Sequence, residues 1–145
     1  MTTPSHIFVP YQGTDKDESL LRVACQMAKI HHARLSVANI VKVPMAFRVD
    51  ADDVPGLEEA NRIMDDAEKI AKSAGVEIVT DVLAARDTAA AIVQAASTAG
   101  SDVIFMEAGP ANAESRQTMG GTVEYVIEKA ACQVWVSRMA GKSTG

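Results

Sequence analysis

The chain has 145 residues, 48% of them hydrophobic and 23% charged, with a formal net charge of −5. That is the size of one ordinary domain with enough apolar material for a packed core, and mild acidity without a basic stripe argues against nucleic acid as a partner. The polar start over Met1–Ser5 does not read as a leader, and the apolar runs fall far short of the roughly 18 residues a membrane span needs. The expectation is therefore one soluble, cytoplasmic domain over 1–145, with no membrane insertion.

Ile7 to Tyr11 is a short apolar run between Pro4 and Gly13 and reads as a strand. Thr14 or Asp15 offers an N-cap, and Asp17 and Glu18 suit a first helical turn. Leu20, Leu21, Ala24, Met27, Ala28 and His31 recur at helical spacing, which predicts a helix from Asp15 to His31. Leu35–Val41 is a second strand, followed by a long connection holding Pro44 and Pro55. Leu57, Ala60, Ile63, Met64, Ala67, Ile70, Ala71 and Ala74 mark an amphipathic helix that Gly75 stops. Val76–Leu83 is the third strand, and Asp87 caps a third helix built on Ala90, Ile92, Val93 and Ala96 and ended by Gly100. Val103–Met106 is a fully apolar fourth strand. A polar, glycine-containing loop runs from Glu107 to Gly121, a fourth helix from Thr122 to Ala131, and a last strand from Gln133 to Ser137.

Strands separated by helices of this length imply right-handed crossovers and a parallel sheet. The predicted fold is α/β: a doubly wound, three-layer, Rossmann-like domain with a five-stranded parallel sheet. Ligands in such folds sit at the carboxyl ends of the strands, at the switch point. That directs attention to the loops after Tyr11, Val41, Leu83 and Met106.

Among those loops, Gly120-Gly121-Thr122 opens a helix. Free N–H groups at such a start attract anions, though the same residues also serve as a plain turn into the helix. Cys25 and Cys132 read as small core residues, and no CxxC or HExxH spacing occurs, so no metal site is expected. No nucleophile–base pair or paired catalytic carboxylates stand near the loops. The expectation is a binding module without catalytic residues, a weak ATPase being the one activity left open.

Three segments carry a resemblance. They are His6-Ile7-Phe8-Val9-Pro10-Tyr11-Gln12-Gly13-Thr14, then Asp102-Val103-Ile104-Phe105-Met106, and finally Gly121-Thr122-Val123-Glu124-Tyr125-Val126 continuing through Ala130-Ala131-Cys132-Gln133-Val134-Trp135-Val136. In order and spacing the chain resembles the universal stress protein family over essentially its whole length, which implies an adenine nucleotide alpha hydrolase-like fold. ATP-binding members share a motif of the form G-2x-G-9x-G-(S/T) after the fourth strand. Here Met106 is in place, but Glu107 replaces the first glycine, the second falls near Pro110 with Gly109 one position early, and Gly121-Thr122 closes the motif one residue late. The strand-one acid that contacts the nucleotide is Gln12, and the Gly-x-Pro after the third strand is Arg86-Asp87-Thr88.

The resemblance implies a nucleotide-type site formed by Tyr11, Gln12, Gly13, Asn39, Ile40, Val82, Met106, Glu107, Gly109, Gly120, Gly121 and Thr122. Its ligand would be ATP or AMP, with magnesium if ATP, or another small ligand, and the site is expected to be weakened. A carboxylate about 4 Å from a phosphate costs on the order of 1–4 kcal/mol, and Pro110 removes an N–H donor. Gln12 still offers an amide to a ribose or base edge. Arg86, Arg116 and Arg48 offset Glu107 if they converge on the site, and are surface arginines otherwise.

The final strand, with Val134, Trp135 and Val136, is apolar and expected at a sheet edge, where unpaired backbone groups invite pairing. Resembling family members pair through it, so a homodimer centred there is expected, with Trp135 packing under the fourth helix as the competing reading. Two functions stay open: a regulatory module sensing an adenine nucleotide, and an adaptor without nucleotide that acts through protein contacts in stress response or transport regulation.

Overall fold

Alternation of apolar side chains along short strands decides how this chain is layered. The computed structural model describes residues 3–108 and 121–139. In chain order these form β1 (His6–Pro10), α1 (Asp15–His31), β2 (Arg34–Lys42), α2 (Leu57–Ser73), β3 (Val79–Ala85), α3 (Thr88–Thr98), β4 (Val103–Glu107), α4 (Gly121–Lys129) and β5 (Gln133–Ser137). The sheet runs β3-β2-β1-β4-β5, and every neighbouring pair is parallel.

Successive strand residues point to opposite faces, so each central strand feeds two cores. Ile7, Val9, Leu35, Val37, Val103 and Phe105 meet Leu20, Leu21, Ala24 and Ala28 of α1 and Met64, Ala67 and Ala71 of α2. Phe8, Ala38, Ile40, Ile104 and Met106 meet Ile92 and Ala96 of α3 and Val123 and Val126 of α4. Strands covered on both faces read as continuous apolar runs, and Ile7, Phe8 and Val9 are each no more than 3% exposed. The helix starts follow the expected capping chemistry. The Asp17 N–H donates to Thr14 Oγ1 at 3.1 Å, and the Ala90 N–H donates to Asp87 Oδ1 at 3.2 Å.

The elements differ from expectation mainly at their ends. β3 starts at Val79 rather than Val76. Gly75 adopts a left-handed φ of 76°, and the Val76 N–H donates to Ala71 O at 2.9 Å, which commits Val76 to closing α2. β1 ends at Pro10, although the Tyr11 N–H still donates to Ala38 O at 2.8 Å. α4 spans Gly121–Lys129, ending before Ala131.

At the amino ends of the strands, Asp102 ties down the start of β1. Its carboxylate accepts from Ser5 N at 2.8 Å, Ser5 Oγ at 3.0 Å and His6 N at 3.0 Å. These donors outweigh the upward push of burial and hold Asp102 below its ordinary range. His6 is 6% exposed, and its Nε2 lies 2.7 Å from Ser36 Oγ. Burial, then the Arg34 charge, lowers its pKa from the usual 6.5, against the Ala99 carbonyl and Asp102, which favour the proton.

A lowered histidine pKa means the folded protein binds fewer protons than the unfolded chain, so stability is lost as pH falls below 6.5. The urea midpoint is expected to drop between about pH 7.5 and about pH 5.5, and to drop less in His6→Gln, which keeps a polar partner for Ser36 but does not titrate. Equal losses in both proteins would remove His6 as the source.

Candidate functional site

The chain leaves β1 toward β2 on one side and reaches β4 from β3 on the other, so a crevice opens between the carboxyl ends of β1 and β4. A cavity of about 640 Å³ occupies it. Pro10, Gln12, Thr14, Lys16 and Asp17 line one wall, and Met106, Glu107 and Ala108 the other. Thr122 and Val123 at the start of α4, with Thr88 and Ile92 of α3, complete it. A second recess of about 410 Å³ at the end of β2 holds Asn39, Ile40, Gly56 and Ile63, and shares Gln12 and Thr88 with the first.

The β1–α1 turn that presents Gln12 is held from within. The Gln12 N–H donates to Asp17 Oδ2 at 2.8 Å, while Asp17 in turn donates its own N–H to the Thr14 hydroxyl. Gly13 takes φ 85°, and a Cβ there would lie 3.1 Å from Ile63 Cγ2, so both conformation and space favour glycine. The Asn39 side-chain amide donates to Tyr11 O at 2.9 Å, fixing the end of β1 against β2.

The expected site residues therefore separate. Gln12, Met106, Glu107 and Thr122 come together around the first cavity, and Asn39 and Ile40 line the adjoining recess. Gly13 shapes the turn. The Tyr11 side chain is only 1% exposed in the α1–α2 core, and burial followed by the charges of Glu18 and Asp17 raises its pKa well above the usual tyrosine value. Val82 packs toward α2 and lines neither recess. Gly121 is the first residue of α4. Gly109, Pro110, Arg116 and Gly120 lie outside the described residues.

The charges do not converge as hoped. The Arg86 guanidinium donates to Pro44 O at 3.0 Å and Phe47 O at 2.7 Å, pinning the β2–α2 connection. Arg48 pairs with Asp50 at 3.2 Å on the surface. Glu107, by contrast, does stand in the cleft wall: its Oε2 accepts from Met139 N at 2.9 Å, and its Oε1 is buried without a hydrogen-bond partner among the described residues. Asp17, 7% exposed, has its pKa raised by burial, against the Gln12 and Thr14 donors, and Glu107's charge pushes the same way as burial. Among the described residues no group of three or more His, Cys, Asp or Glu side chains is placed to hold a metal ion, and no helix is long and apolar enough to cross a membrane.

Sequence reasoning missed the cleft roles of Asp17, Lys16, Thr88 and Ile92. Asp17 and Thr88 sit in first helical turns beside recognised caps, and the rule that ligands meet helix starts at the switch point would have flagged both.

Trp135 is not under α4. β5 is the terminal strand, and Trp135 turns to the opposite face, edge-on to Phe105 with centroids 5.9 Å apart, while Val134 and Val136 pack on the α3–α4 side.

The model of the Universal stress protein family matches residues 4–138. The chain belongs to the universal stress protein family. Its fold is also that of solved members. A universal stress protein in complex with cAMP is 18% identical with a TM-score of 0.77, covering 96% of this chain and 100% of that one. UspA from Lactobacillus plantarum is 21% identical at TM-score 0.74, covering 95% and 100%. The Archaeoglobus fulgidus protein in complex with dAMP is 20% identical at TM-score 0.69, covering 94% and 98%. No curated protein sequence gives a significant match.

Two substitutions check this geometry. Gly13→Ala is expected to lower unfolding free energy by about 1 kcal/mol or more, read from urea titration. Arg86→Ala is expected to speed proteolysis within 43–56 while leaving the helical circular dichroism intact, because it removes the tie to the Pro44 and Phe47 carbonyls.

Proposed function

We propose that this universal stress protein is a small-ligand-binding regulatory module, cytoplasmic and homodimeric through β5, whose cleft binds an adenine nucleotide such as ATP or AMP with reduced affinity. The observation that carries the reading is the cavity between the ends of β1 and β4, which holds Gln12 and the start of α4 on the same surface as Glu107. Gln12 offers an amide to a ribose or base, and the recess at Asn39 and Ile40 offers a neighbouring shelf for a ring. Thr122 adds a hydroxyl near the free N–H groups of a helix start. Relatives of this fold crystallised with cAMP and dAMP support an adenine-bearing ligand.

Magnitudes favour weak binding. An anion at a helix N-terminus gains roughly 0.3–1 kcal/mol, whereas a like charge about 4 Å away costs on the order of 1–4 kcal/mol. Glu107 therefore outweighs what α4 contributes. A magnesium ion carried in with ATP would meet Asp15, Asp17 and Glu107 as the carboxylates of the lining, which among the described residues do not form a metal site of their own. Those acids also support the second reading, an adaptor without nucleotide in stress response or transport regulation.

Calorimetric titration with ATP, ADP, AMP and cyclic adenine nucleotides, with and without magnesium, separates the two. Heats corresponding to dissociation constants up to a few hundred micromolar are expected, and silence across the panel would leave the adaptor. Light scattering after size exclusion is expected to give twice the monomer mass, and a clean monomer at micromolar concentration would sink the β5 dimer.

A further inference from the structure

We infer that Glu107 makes this cleft discriminate by the charge of the ligand's 5′ end, favouring adenine ligands that donate hydrogen bonds or carry positive charge there over those that carry phosphate. The inference rests on the adenine reading above and narrows it to a ligand class. Glu107 closes β4, and its Oε2 accepts from Met139 N at 2.9 Å, which fixes the carboxylate in the wall of the cleft. The other oxygen, Oε1, is buried and has no hydrogen-bond partner among the described residues. A buried carboxylate oxygen without a donor is a costly group, and Glu107 is part of the cavity lining. Across the same cavity stands Asp17, only 7% exposed, with one oxygen occupied by the Gln12 N–H. Lys16 also lines the cleft, half-buried and flanked in sequence by Asp15 and Asp17, which line it as well. Arg86 and Arg48 are committed elsewhere, to backbone carbonyls and to Asp50. Thr122 and α4 form the end of the cleft to which a phosphate would be drawn, and Glu107 shares that cleft. A protonated amine or a hydroxyl at that point offers the Glu107 carboxylate a donor, while a phosphate adds negative charge beside Asp15, Asp17 and Glu107.

The test compares 5′-amino-5′-deoxyadenosine, adenosine, AMP and ATP on the unmodified protein by calorimetry at low salt. The expected order of affinity is amine, adenosine, AMP, ATP, with the amine at least about tenfold tighter than AMP. Glu107→Gln, which keeps an acceptor for Met139 N, is expected to collapse that preference. AMP or ATP as the tightest ligand of the unmodified protein would overturn the inference and leave the adenine reading standing, as would an order that Glu107→Gln does not change. Silence from all four compounds would overturn the adenine reading and this inference with it. Should Glu107→Gln fail to fold, the order on the unmodified protein decides alone.

Discussion

The burial of β1 on both faces is the constraint from which the rest of the molecule follows. A strand whose Ile7, Phe8 and Val9 are all out of water needs helices above and below, and partners on both edges. β2 takes one edge and β4 the other, and right-handed crossovers then assign α1 and α2 to one face and α3 and α4 to the opposite face. The crevice between the carboxyl ends of β1 and β4 is a by-product of that arrangement. No residue of the cleft has to be chosen for the cleft to exist. What the individual residues choose is what it will hold.

That division of labour shows in how the walls of the cleft are held. The turn after β1 is stabilised by its own contacts, Asp17 to the Gln12 amide and Asn39 to the Tyr11 carbonyl, so its shape does not depend on a ligand. The anion-attracting half at Thr122 comes free with a helix start. Glu107 closes β4 in the opposing wall, and its Oε2 is held by the Met139 N–H.

Much of the fold was legible because apolar runs and helical spacing are local signals. Ile7–Val9 and Val103–Met106 announced covered strands, and Thr14 and Asp87 announced helix starts that the structure keeps. β3 was misjudged by three residues because the sequence does not distinguish an apolar residue that closes a helix, as Val76 does, from one that opens a strand. The cleft was legible at Gln12, Met106, Glu107 and Thr122, which follow strands or open helices. It was not legible at Arg86, whose guanidinium has an ordinary surface sequence context and finds the Pro44 and Phe47 carbonyls only through the tertiary path of the β2–α2 connection. Tyr11 was expected in the site and Trp135 was left between two places for a related reason: the face on which an aromatic lands depends on pairing register, which only the assembled sheet fixes.

The bond between Glu107 and Met139 has one more consequence. A single carboxylate belongs at once to the wall of the cavity and to the segment just beyond the edge strand β5. Any molecule that drew Oε2 away from that amide would have to break its bond to Met139. By thermodynamic reciprocity, anything that strengthened the Met139–Glu107 bond would weaken such a molecule by the same factor. The segment after the edge strand and the wall of the crevice thus share one side chain.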